Sequence, residues 1–194
     1  MVDQLPPDLR VACAVAQTLG WRMQSEVLAL ERRHLDLRQG LVRLDPGMAK
    51  NDKPRVAYLT PELSALLTEQ IARVDVLQRQ LGRVIPFVFP HLRGRLRGQR
   101  RQDFVKAWKT ACRHAGVPGR LRHDFRRTAV RNLVNAGVPE KVAMEITGHK
   151  TRAVFDRYHI IGPNDLKAAA AKLAGRTMSE GRKSQVEAQK HERG

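Results

Sequence analysis

His123 and Arg126 lie three residues apart, His149 follows a glycine, and Tyr158 comes nine residues after that histidine. A phenol, two imidazoles and a guanidinium are the groups needed to react with a phosphodiester by side chains alone: a nucleophile, a proton carrier and fixed positive donors for the non-bridging oxygens. On a helix, residues three apart share a face, so His123 and Arg126 can address one phosphate. A side chain just past a helix-stopping glycine, as His149 stands past Gly148, can project into a cleft. Arg22 stands two residues past another such glycine, Gly20. Acidic residues are sparse in this basic half, with no HExxH pattern and no carboxylate cluster at ligand spacing, so no metal and no cofactor are expected. Each residue also has an ordinary reading. Tyr158, at helical spacing from Val154 and Phe155, could be core, His123 a helix cap and Arg126 one more surface charge.

The charge balance says what the partner is. Thirty-six Lys and Arg against 19 Asp and Glu give the 194-residue chain a formal net charge of +17. Twenty-six of the 36 are Arg, whose planar fork meets phosphate with two parallel hydrogen bonds. From Arg93 to Arg131 there are 13 basic residues and two acidic ones, so this stretch alone carries +11. A concentrated patch implies a polyanion, and Arg93, Arg95, Arg97, Arg100, Arg101 and Arg122 are expected to contact its phosphates. Cys13 and Cys112 lie 99 positions apart without a CxxC partner and read as core thiols of a reducing compartment. No apolar run approaches the ~20 residues of a membrane span, and Asp3 with two early prolines argues against a signal peptide. A cytoplasmic protein with no membrane partner is the expectation.

The elements that must position these residues are mostly helical. Leu9, Ala12, Cys13, Ala16 and Leu19 recur at helical spacing up to Gly20, and Val27, Leu28 and Leu30 suggest a short second helix. Three short strands follow, His34 to Leu37, Leu41 to Leu44 and Arg55 to Leu59, with turns at Gln39-Gly40 and Asn51-Asp52. Thr60-Pro61-Glu62 starts a helix that runs to Gly82. Residues 86–101, with two prolines, two glycines and five arginines, read as a mobile basic loop. Asp103 caps a helix to Ala115, His123 opens one that ends at Gly137, Pro139 opens a shorter one that ends at Gly148, and Val154, Phe155 and Tyr158 share a face of the next. An amphipathic helix from Asn164 to Leu173 precedes a polar, flexible tail over 176–194. The fold class is α+β, mainly α-helical, with a small antiparallel sheet near the N-terminus. Tyr58, the other tyrosine, reads as structural, and His34 as a surface or neighbouring support residue.

In order and spacing, His123-x-x-Arg126, Gly148-His149 and Tyr158 resemble the C-terminal signature of the tyrosine recombinases, the phage integrase family. Leu19-Gly20-Trp21-Arg22 through Leu30 is similar to that family's first arginine motif, and Met48 to Val56 to its strand hairpin with a lysine. The resemblance spans roughly residues 5 to 170. It implies a site-specific recombinase that cleaves and rejoins double-stranded DNA through a 3'-phosphotyrosyl link, without metal or ATP. Tyr158 would be the nucleophile, with Arg22 and Arg126 on the phosphate, Lys50 the acid for the leaving oxygen with Lys53 as fallback, His123 the proton partner of Tyr158, and His149 a donor to the phosphate. It also implies a catalytic domain over 1–175, without the DNA-clamping domain that precedes it in most members, and self-association on DNA as dimer to tetramer. One departure is Ile146-Thr147, where a Leu commonly precedes the Gly-His pair; this reading treats it as neutral. Two alternatives remain open at this level. One is a topoisomerase-like nicking and closing enzyme; the other is a non-catalytic DNA-binding protein in which Val138 to Tyr158 form a helix-turn-helix.

Overall fold

The computed structural model describes residues 1–48, 53–158, 166–167 and 169–171. Met1–His159 form one compact unit and Ile160–Gly194 a second. In the second unit the described residues are helical and fall within the predicted Asn164 to Leu173 helix, while the predicted tail lies outside the described residues.

The first unit is built around α1, Pro7–Leu19, which only Pro7, Arg10 and Gln17 leave exposed. Proline at its first position suits the helix start, and Ala12, Ala14 and Ala16 keep its surface shallow, so other helices can approach closely. It packs against α2, Pro61–Leu81, and α4, Asp124–Asn135. Gly20 ends α1 with φ 68°, and a Cβ there would come within 2.8 Å of the Thr147 methyl. Only glycine therefore lets the end of α1 meet the turn after α5, Glu140–Thr147. The other helices of this unit are α3, Val105–His114, and α6, Arg152–Asp156.

The strands β1, Leu35–Asp36, β2, Leu41–Leu44, and β3, Arg55–Tyr58, form an antiparallel sheet in the order β1-β2-β3. Pairing of Val42 with Ala57 and of Leu44 with Arg55 places Val42, Leu44, Arg55 and Ala57 on the buried face. Val56 and Tyr58 alternate to the outside, and Tyr58 is 77% exposed, so it has no packing role.

Several sequence expectations change in detail. The short helix near Val27 is instead a π-helical turn over Met23–Val27, closed by Leu28 N–H on the Met23 carbonyl. The first strand shortens because His34 belongs to a 3-10 turn. His34 is buried, not a surface residue: its Nδ1 accepts the Glu31 N–H at 2.9 Å and its Nε2 lies 3.2 Å from Asp45. Asp103 does accept the Val105 N–H at 3.2 Å, but the helix begins at Val105. Of the trio assigned to one face, Phe155 is buried while Val154 is exposed. The largest change concerns 86–101. Ile85, Val88 and Phe89 are fully buried, and the Gln70 side chain, buried in α2, donates to the Val88 carbonyl at 2.8 Å. A Pro90–Arg100 bridge closes the loop and the Arg101–Asp8 ion pair at 2.9 Å anchors it to α1, so this stretch is a packed element.

Candidate active site

Four elements bring the chemical residues together. Arg22 follows α1 and caps the π turn, His123 and Arg126 begin α4, Gly148 reverses the chain after α5 and presents His149, and Tyr158 follows α6. Thr151 caps α6 by accepting the Val154 N–H, and the Tyr158 N–H binds the Phe155 carbonyl, which fixes the tyrosine's stem.

His123 Nε2 lies 2.8 Å from the Tyr158 hydroxyl. The Tyr158 ring also meets His149, with centroids 4.9 Å apart, and the Arg126 guanidinium at 5.8 Å. Burial, reinforced by Arg126 and Arg22, holds the His123 pKa below its usual value. A neutral imidazole with a free lone pair can accept the phenolic proton.

Arg126 is 3% exposed, and most of its donors are committed. Nη1 donates to the Gly20 carbonyl at 2.5 Å and the Thr147 carbonyl at 2.7 Å, while Nε donates to His149 Nε2 at 3.2 Å. Nη2 has no hydrogen bond among the described residues, which leaves two N–H bonds for an anion. Burial, and then the neighbouring Arg22, push its pKa down to about 10, so it stays cationic at neutral pH.

Beneath Arg22 and Arg126 sits a charge cluster that sequence reading missed. Glu26, fully buried, accepts from Arg22 N–H at 2.7 Å and Arg22 Nη1 at 2.8 Å, and takes Arg55 Nη2 at 2.5 Å. The π turn carries the Glu26 carboxylate back over the Arg22 amide. Arg55 also donates to the Thr147 carbonyl at 3.1 Å and stacks on Trp21, whose indole N–H binds the Ile146 carbonyl. A Cβ on Gly148, at φ 71°, would collide with the Arg55 guanidinium. One carboxylate thus serves two guanidiniums, buried Arg55 and half-buried Arg22, and without it they would stand uncompensated close to like charge.

A cleft of about 720 Å³ opens beside Arg22, His123 and Arg126. Its wall includes Lys109 and Arg113 of α3, which with Lys106 and Thr110 form an exposed stripe opposite buried Trp108, Ala111 and Cys112. That 106, 109, 110, 113 spacing was the available signal for these residues.

Lys50 lies outside the described residues, and Lys53, before β3, is exposed. Arg93 and Arg95 are exposed, with no hydrogen bond or ion pair among the described residues. Arg97 donates to Gln80 at 2.7 Å, Arg100 is half-buried, Arg101 pairs with Asp8, and Arg122 stacks on Phe104 at 5.3 Å. Cys13 and Cys112 are buried free thiols, and burial pushes Cys13 up to about 12. No described helix is long and apolar enough to cross a membrane.

This fold is that of recombinase catalytic domains. The chain superposes on the XerA recombinase with a TM-score of 0.64 at 18% identity, covering 86% of this chain and 57% of that one. It matches the catalytic domain of bacteriophage HP1 integrase with a TM-score of 0.56 at 21% identity, covering 88% and 87%. The phage integrase family pattern matches residues 3–161, and the chain belongs to that family. It is 25% identical over 182 residues to the integrase of Salmonella phage P22, a match covering 89% of this chain and 44% of that protein. The chain thus spans about half the length of these relatives, the HP1 domain excepted.

Proposed function

We propose that this chain is the strand-cleaving domain of a site-specific DNA recombinase. Tyr158 Oη attacks a DNA phosphorus, its proton passes to His123 Nε2, and the bond to the 5' oxygen breaks as a 3'-phosphotyrosyl bond forms. Lys50 protonates the leaving 5' oxygen. A 5' hydroxyl from a second duplex then reverses the step. One phosphoester replaces another throughout, so no nucleotide is consumed. Arg126 through Nη2, together with Arg22, stabilises the charge that develops on the non-bridging oxygens. Arg93 and Arg95, followed by Arg97, Arg100, Arg101 and Arg122, contact the DNA backbone, and pairs of protomers assemble on DNA to exchange strands.

The observation that carries this reading is the 2.8 Å contact between His123 and Tyr158 beside a buried arginine with two uncommitted N–H bonds. A helix-turn-helix protein that only binds DNA has no use for that arrangement. Incubating the protein with nicked suicide duplexes in EDTA tests it. A covalent protein–DNA adduct should form, and Tyr158→Phe should abolish it while DNA binding persists. An adduct that survives in Tyr158→Phe would overturn the assignment.

A further inference from the structure

We propose that Arg55 is a positioning residue: it takes up the charge of Glu26, so that Arg22, held by the same carboxylate, keeps its own positive charge for an anion in the cleft. Arg22 and Arg55 meet one oxygen of Glu26, Arg22 through Nη1 at 2.8 Å and Arg55 through Nη2 at 2.5 Å. They do so from different surroundings. The Arg55 side chain is 6% exposed, whereas that of Arg22 is 29% exposed and lines the cleft. Water screens the attraction to a buried partner least, so the charge of Glu26 is offset mainly by Arg55.

Arg55 can act on the cleft only through that carboxylate, because it is not one of the described residues that line the cleft. Its other contacts are with uncharged groups, the Thr147 carbonyl at 3.1 Å and the Trp21 ring at 5.7 Å. Its Nε is buried with no hydrogen-bond partner among the described residues. A buried guanidinium that leaves one N–H unmatched is held there by its counter-charge more than by hydrogen bonds. At Arg126 the two groups act in opposite senses, Glu26 raising the pKa and Arg55 lowering it. With Arg55 present, the guanidiniums of Arg22, Arg55 and Arg126 stand against one carboxylate, and Arg22 and Arg126 both remain cationic toward the cleft. Without it, Glu26 and Arg22 close into a neutral pair and Arg126 alone is left.

The charge assignment stands independently of the proposed reaction; its effect on cleavage rests on that reading. Two variants separate charge from shape. Arg55→Gln removes the charge, whereas Arg55→Lys keeps it and loses the planar fork that reaches Glu26 and Thr147 together. Inorganic phosphate, titrated at low ionic strength into ¹⁵N-arginine-labelled protein, is followed at the Arg22 Nε–H signal, assigned by its loss in Arg22→Lys. Phosphate should bind about tenfold more weakly to Arg55→Gln than to the wild type, and to Arg55→Lys within about twofold of the wild type. Single-turnover DNA cleavage should follow the same order. A wild type in which phosphate does not reach Arg22, equal affinity in the wild type and Arg55→Gln, or an equal loss in both variants overturns the proposal. If Arg55→Gln fails to fold, Arg55→Lys decides it: near-wild-type phosphate binding supports the proposal, and a loss of about tenfold overturns it. Phosphate binding in the expected order with no cleavage by the wild type would sink the proposed reaction and leave the role of Arg55 standing.

Discussion

Two groups of arginines in this chain are handled in opposite ways. Arg126 and Arg55 lie under the candidate site, 3% and 7% exposed, with their donors directed onto Glu26, His149 and the carbonyls of Gly20 and Thr147. Arg93 and Arg95 stand in water on a packed loop. The first group is preorganised: its desolvation is offset by a buried carboxylate and by backbone dipoles, and little reorganisation remains when an anion arrives. The second keeps its hydration and, under the proposed function, would act through released counterions. Under the proposed function the same residue type supports chemistry in one place and affinity in the other, and perturbing each should leave a different signature.

The largest effect should follow from Glu26→Gln. It leaves Arg22 and Arg55 without their shared counter-charge, and breaking a buried pair of this kind costs about 3–5 kcal/mol. Denaturant unfolding should show that loss, and single-turnover cleavage by the folded fraction should also fall. Unchanged stability would mean that the cluster is better solvated than its burial suggests.

Acid should come next. His123 must be neutral to accept the Tyr158 proton, and its pKa lies below the ordinary ~6.5 because of burial, Arg126 and Arg22. Cleavage should be flat from pH 7 to 8 and decline only below about 6.5. His149 adds to the stability profile with the same sign. Folded, it stays neutral down to about pH 3, whereas unfolded it takes up a proton near its ordinary pKa. Stability should therefore fall as pH drops below that ordinary value toward 3. A rate that falls as pH drops from 8 to 7 would contradict the proton assignment.

The smallest effect belongs to the exposed group. Arg93→Ala with Arg95→Ala should weaken DNA binding similarly across sequences and flatten the log–log salt dependence by roughly 0.9 per residue. Cleavage at saturating DNA should be unchanged. A loss of cleavage there would erase the distinction between the two groups.

Much of this could be read from the chain itself. The helix stops at Gly20, Gly82 and Gly148 all adopt positive φ, and Thr60 caps α2 as its sequence indicates. The spacing of His123, Arg126, His149 and Tyr158 survived folding as a cluster because each is fixed by a local signal, a helix start or a glycine reversal. What could not be read was long-range. Arg55 meets Glu26 across 29 positions and Thr147 across 92, and nothing local marks a charged residue for burial. Residues 86–101 misled because their prolines, glycines and arginines outweighed Val88 and Phe89, fully buried side chains that with Ile85 just before the segment hold it down.

The chain has two tyrosines, and they give the central claim its sharpest test. Tyr58 is 77% exposed on the outer face of the sheet, while Tyr158 is half-buried against His123, His149 and Arg126. Mass spectrometry of the peptide left on trapped DNA should place the phosphotyrosyl bond on Tyr158 alone. A bond on Tyr58, or tight DNA binding with no bond at either residue, would contradict the account.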